Sequence, residues 1–166
     1  MHDLNNHIEL TRIAQDYPNM RLVIAHVGRS FTYYDVENTI DFLKPFENVS
    51  FDTAFLNDPN VFEYLMRLVP PERIIYGCDA PLAFTRGRDV TINNQHYYVC
   101  DHPVPWGISP MTPDKINLTF YVYEQLRAMF QASGRVYGSH EDIALEKIFL
   151  KSAIDTIGSK GKFLYA

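Results

Sequence analysis

The sequence predicts an α/β fold built on a small parallel sheet, and three observations carry that reading. Residues 22–25 and 74–76 are short apolar runs of the kind buried on both faces of a sheet, and residues 48–53 alternate like a strand. Between them lie segments whose apolar residues recur at helical spacing. The alternation repeats at roughly 25 residues, the length of one strand-plus-helix unit, which implies right-handed crossovers between parallel strands.

In chain order, residues 4–16 carry Leu4, Ile8, Ile13 and Ala14 on one helical face, with Asp3 or Asn5 as cap and Tyr17-Pro18-Asn19 as the stop. The run at 22–25 follows and leads into His26, Val27 and Gly28, so a histidine stands at the strand tip. Asp35 starts a second helix that buries Val36, Ile40 and Leu43 and halts before Pro45. The strand at 48–53 ends near an acid, Asp52. Pro59 suits a first helical position, and Val61, Phe62, Leu65, Met66 and Val69 form the stripe of a third helix, which Pro70-Pro71 stops. After the strand at 74–76, Gly77 and Pro81 break the chain, so Asp79 lands where that strand ends. Three strands make a small sheet, and parallel strands need cover on both faces. Part of the structure is therefore expected to be missing.

Beyond Leu82 the pattern changes. Residues 90–100 read as a hairpin turning at Asn93-Asn94. Residues 101–113 form a proline-rich loop holding His102 and Trp106, placed as a lid over the strand ends or as a surface excursion. Pro113 opens a helix over 114–132 whose Ile116, Phe120, Tyr123, Leu126 and Phe130 are expected to pack inward. Gly134 and Gly138 mark the next connection. Ser139 suits the cap of a short helix burying Ile143, Leu145, Ile148 and Phe149, and residues 151–157 continue helically into a Gly-Ser-Lys-Gly-Lys tail. Residues 1–166 read as one domain, with 85–113 as a hairpin-and-loop insertion.

Composition narrows the function. A net charge of -5 gives no electrostatic reason for a nucleic acid or anionic membrane partner. No apolar run approaches a membrane span, and the amino terminus lacks the basic and apolar regions of a signal peptide. Cys78 and Cys100 have no metal-ligand spacing and suggest no disulfide framework, so a reduced cytoplasmic protein is the default expectation. Aromatic residues at 14% suit a large core or a lined cleft.

The chemistry-bearing pair is Asp79 and His26. A carboxylate at the carboxyl end of a parallel strand points into the crevice where α/β folds place their chemistry. An imidazole beside it can act as base, acid or ligand. The same Asp79 also suits a turn cap close before a proline, and a histidine at a strand end is often only hydrogen-bonded. Cys78 reads as a packed strand residue rather than a nucleophile.

These residues also carry a resemblance. Tyr17-Pro18-Asn19-Met20-Arg21-Leu22-Val23-Ile24-Ala25-His26-Val27-Gly28-Arg29 resembles the strand-six signature of the amidohydrolase-related (amidohydrolase 2) metal-dependent hydrolases. Asn48-Val49-Ser50-Phe51-Asp52-Thr53 is similar to their strand seven. Arg73 to Pro81 is similar to strand eight, with Gly77-Cys78-Asp79 where Gly-Ser-Asp is usual. Residues 144–149 followed by Lys151-Ser152-Ala153 resemble the closing helix, Ser152 replacing a usual Asn. The resemblance covers 4–82 and about 140–157, leaving the hairpin and loop outside it.

It implies strands six to eight of a partial (β/α)8 TIM barrel with a divalent metal, zinc as a rule, at its carboxyl mouth, and hydrolysis of C–N, C–O or lactone bonds or a decarboxylation of a small-molecule substrate. Carried over by residue, Asp79 is a metal ligand and proton-transfer group, and His26 a metal ligand or the base that orients water or substrate. Arg29 is a substrate contact or a surface loop residue, and His102 on the loop a further substrate contact. The family's His-x-His of strand one and its strand-five histidine are absent from this chain, so the pair falls short of the three protein ligands a catalytic zinc takes. The expectation is the carboxyl-terminal part of a hydrolase, inactive alone, that forms homo-oligomers or lacks its amino-terminal half. The alternative is a non-catalytic α/β domain that self-associates or complements another chain.

Overall fold

The computed structural model describes residues 4–37, 39–110 and 115–157. The expected cap Asp3, the helix start at Pro113 and Asp114, and the tail from Gly158 lie outside those residues. Three strands form a wholly parallel sheet in the order β1 (Leu22–Ile24), β2 (Val49–Asp52), β3 (Ile74–Ile75). A second, antiparallel sheet has the order β5 (Gln95–Cys100), β4 (Arg86–Ile92), β6 (Thr119–Phe120). The chain is thus mixed α/β, and neither sheet closes on itself.

Helix α1 spans Leu4–Asp16 as expected, and Asn48 Nδ2 donates to the carbonyls of Ala14, Tyr17 and Met20 at 3.1 Å each, tying its end to the start of β2. The single helix expected from Asp35 is two short ones, α2 (Tyr33–Val36) and α3 (Thr39–Leu43). Thr32 and Asp35 form a reciprocal capping box, which moves the start ahead of Asp35. Helix α4 (Pro59–Leu68) has Pro59 in its first turn and Asp58 as cap.

Register decides which side of the parallel sheet is core. Leu22 pairs with Val49, Ile24 with Phe51 and Phe51 with Ile74, so these side chains share a face. Ile24, Val49, Phe51 and Ile74 are buried there with Ile40, Leu43, Val61, Phe62, Leu65 and Met129 from the helices. The other face carries Val23, Ser50, Asp52 and Ile75. Val23 is 42% exposed and the remaining three are half-buried.

The hairpin turns at Asn93-Asn94, both at positive φ, as the sequence predicts. The long helix does not follow its expectation. Helix α5 spans Tyr121–Tyr137, because Thr119 and Phe120 pair with Gly87 and Arg86 as a strand instead of starting the helix at 114. Its inner face is also a different one. Tyr121, Gln125, Ala128, Met129, Ala132 and Ser133 are buried, whereas Ile116, Phe120, Tyr123 and Phe130 are exposed and Leu126 is half-buried. Small residues on the inner face let α5 approach α4, and Gln125 has carbonyls to satisfy there. Gly134 lies within the helix, which ends at Gly138 with φ 53°.

One helical run closes the described chain: α6 (Glu141–Glu146), a π turn over Lys147–Lys151, and α7 (Ser152–Ile157). Ser139 sits in a 3₁₀ turn and makes no side-chain cap. Leu145 and Ile148 are buried as expected, while Ile143 is 58% exposed. The Ile148 carbonyl accepts from Tyr76 N at 3.1 Å, so this run caps the outer end of β3.

Candidate active site

All three parallel strands end at one rim, and the chain leaves each of them through strained backbone. After β1 the residues His26, Val27, Gly28 and Arg29 all have positive φ, at 52°, 46°, 71° and 61°. That is one turn of left-handed helix, and for L-residues each non-glycine position in it costs about 1–2 kcal/mol. Several contacts hold the turn in place. Val27 is fully buried in the core, and Ser30 N donates to His26 O at 3.2 Å. His26 N donates to Asp52 Oδ2 at 3.4 Å, and the His26 ring bonds through Nδ1 to the Ala54 carbonyl at 2.8 Å. Asp79 has a positive φ of 64° as well. Strain of this kind persists only where the surroundings over-determine it, and it concentrates at working sites.

Asp52 ties the tips of β1 and β2 together and lies beside the exit of β3. Besides His26 N, it accepts from Ala54 N at 3.1 Å through Oδ1. A β-carbon on Gly77 would stand 2.2 Å from that same oxygen, so only glycine lets the third strand's exit pass beside the carboxylate. Burial pushes the Asp52 carboxyl above its ordinary value; the N–H groups of Ala54 and His26 pull it back, and the negative Asp79 adds to the rise. From α5, fully buried Gln125 donates through Nε2 to Thr53 O and Gly77 O, both at 2.7 Å. This clamp fixes the exits of β2 and β3 against each other.

His26, Arg29 and Asp79 line one cleft of ≈ 240 Å³, with Phe31, Phe55, Leu82, Tyr98 and Trp106 as its apolar wall. His26 and Asp79 are half-buried, neither on opposite ends of the sheet nor sealed in a dry pocket. A carbonyl only accepts, so the bond to Ala54 O puts the His26 proton on Nδ1 and leaves Nε2 as the basic nitrogen. The insertion supplies Tyr98 and Trp106 to that wall, and with Phe55 and Tyr121 they form a cluster of tilted and edge-on rings. Of the loop residues singled out in the sequence, Trp106 reaches the cleft. His102 does not line it; its ring is exposed and bonded through Nδ1 to Asp101 Oδ1 at 2.5 Å. Asp52, Gln125 and Tyr98 carry no signal in the sequence beyond an acid near a strand end.

Among the described residues no group of three His, Cys, Asp or Glu side chains is placed to hold a metal ion. Asp52 already accepts N–H groups on both of its oxygens, which leaves His26 Nε2 and the Asp79 carboxylate as donors. A catalytic zinc takes three protein ligands and a water. The residues present therefore do not by themselves fit such a metal.

An imidazole and a carboxylate at the carboxyl rim of parallel strands, beside aromatic rings, have the placement α/β folds give to a ligand cleft. Residues 2–95 match the amidohydrolase family, and the chain belongs to that family. No curated protein and no solved structure matches the chain. Among the described residues no helix is long and apolar enough to cross a membrane.

Proposed function

We propose that this chain is the carboxyl-terminal portion of an amidohydrolase-type hydrolase, strands six to eight of a (β/α)8 barrel, and that it supplies the proton-transfer side of the site. The convergence of His26, Asp79 and Arg29 on one cleft carries this reading. The incompletely covered sheet face supports it, because in a closed barrel that face would be the packed interior. In this role Asp79 takes a proton from the attacking water as oxygen adds to the scissile carbonyl carbon. It returns the proton to the departing nitrogen or oxygen as that bond breaks. His26 Nε2 orients the water or the substrate carbonyl, and Arg29 pairs with an anionic group of the substrate. The family's divalent metal, zinc in this proposal, requires ligands from residues other than the described ones.

The test is made on the chain by itself. Elemental analysis after dialysis against zinc is expected to find far less than one zinc per chain, and simple esters and lactones are expected to survive incubation. Stoichiometric zinc with lactone hydrolysis abolished in Asp79→Asn would overturn the half-site reading. One observation favours a second reading, a non-catalytic domain that self-associates: Tyr123, Phe130, Ile143 and Leu150 are all at least half exposed. A dimeric mass by light scattering, with no activity on joining to any amino-terminal half, is its signature.

A further inference from the structure

A second cavity, of ≈ 420 Å³, lies on the far side of Phe31, whose ring lines both it and the candidate active site. It is walled by the start of α4, by β4 and by α5. Its polar lining carries both signs: Asn57, Asp58 and Asp89, and Arg88 and Arg127 with Glu124 against both.

Most of these groups are already engaged. Asp58 caps α4 through Asn60 N at 2.8 Å. Glu124 accepts from Thr119 Oγ1 at 2.7 Å and from Arg127. Arg88 only approaches it, with Nε 4.0 Å from Oε2 and its side chain 58% exposed, so two guanidiniums share one carboxylate and one positive charge is left over.

The acidic side is unfinished in the opposite sense. The Asp89 side chain is 10% exposed, and Asn57 Nδ2 donates to its Oδ2 at 3.0 Å. Among the described residues its Oδ1 has no partner, and neither has Asn57 Oδ1, although both atoms are buried. Asn57 uses its Nδ2 on Asp89 and on the Phe55 carbonyl at 3.0 Å, so its oxygen faces no donor. His96 stands 3.9 Å from Asp89 Oδ2, too far for a hydrogen bond. With the Asp89 carboxyl ionised, two adjacent buried acceptors lack a donor, and they cost free energy that a ligand bearing several N–H groups would recover.

We propose that this cavity binds a small zwitterion of the α-amino acid class, its ammonium on Asp89 and Asn57 and its carboxylate on Arg88. The ammonium brings three donors to a place that lacks them, and the carboxylate matches the guanidinium fork. A cation or an anion alone would satisfy only one side. This site is independent of the proposed hydrolytic role, since its residues and those of the His26–Asp79 cleft share only Phe31.

Glycine, alanine and glutamate, with methylammonium and acetate as single-charge controls, are titrated into the isotope-labelled wild-type chain and followed by amide NMR and calorimetry. A zwitterion is expected to shift Asn57, Asp89 and Thr91, and to bind at least about 10-fold tighter than either control. Asp89→Asn and Arg88→Ala are each expected to weaken binding about 10-fold, with His26→Ala unchanged. No saturable shift by any amino acid at 10 mM overturns the proposal. So do equal affinity for acetate, shifts confined to His26 and Asp79, or undiminished binding by a folded Asp89→Asn variant.

Discussion

Replacing Asp89 by Asn probes the same buried carboxylate through stability. Burial pushes the Asp89 carboxyl up from 3.8 to about 7, the nearby negative Asp58 and Glu124 add to the rise, and the Asn57 hydrogen bond opposes it. The folded state therefore holds a proton that the unfolded chain releases near pH 4. Stability from this group is complete below that pH, falls as pH rises toward 7 and levels off beyond it. Integrated from pH 5 to pH 8, one group with these two values changes stability by about 2.6 kcal/mol. Asp89→Asn keeps the shape, keeps an acceptor for Asn57 and cannot ionise. His96 titrates with the opposite sign, because burial lowers its pKa and charging it costs stability as pH falls. Urea unfolding followed by circular dichroism at pH 5, 6, 7 and 8 is expected to show the variant gaining on the wild type by about 2 kcal/mol across the range. Curves that stay parallel within about 0.5 kcal/mol would mean that Asp89 is solvated or ion-paired, and the reasoning about its burial would fail.

Other substitutions test how the rim is built. Gln125→Leu removes the donor shared by Thr53 O and Gly77 O, and leaving two buried carbonyls unpaired is expected to cost about 2–4 kcal/mol by chemical denaturation. Gly77→Ala drives a methyl into Asp52 Oδ1; a loss of about 1–3 kcal/mol is expected, with altered amide shifts at His26 and Ala54, the two donors to that carboxylate. Val23→Thr, on the incompletely covered sheet face, is expected to change the stability of the isolated chain by less than about 0.5 kcal/mol, and a larger loss would show that the face is covered.

Much of this architecture is legible in the sequence where local signals agree with the packing. The strands at 22, 49 and 74 and the helices at 4 and 59 lie within a residue or two of their expected bounds, because apolar period, proline stops and caps all point the same way. The inward face of α5 is not legible, since Ile116, Phe120, Tyr123 and Phe130 make the better apolar stripe and are nonetheless exposed. Tertiary demands settle it: Gln125 must reach the strand ends and Tyr121 must lie over Gly87, where a β-carbon would stand 2.3 Å from the ring. The site is half legible. His26 and Asp79 are visible as polar residues at strand tips, but nothing local reveals that Asp52 bonds the first and lies beside the second. Nor does it show that Trp106, and not His102, reaches the cleft from the loop.

Strand order explains why one sheet face is incompletely covered. Consecutive parallel strands joined by right-handed crossovers place every connecting helix on the same side while the order runs in one direction. A doubly wound sheet covers its other side by reversing direction, and this sheet does not reverse: β1, β2 and β3 stand in sequence. Only two arrangements cover the second face of such a sheet, closure into a barrel or a layer from outside these strands. The residues on that face favour the first. Asp52 emerges there at the rim, on the side of the sheet that faces the axis in a barrel, where it accepts from His26 N and lies beside Gly77 in the exit that carries Asp79. A layer stacked flat against this face would have to bury that carboxylate, whereas a closed barrel leaves its mouth open to water and substrate.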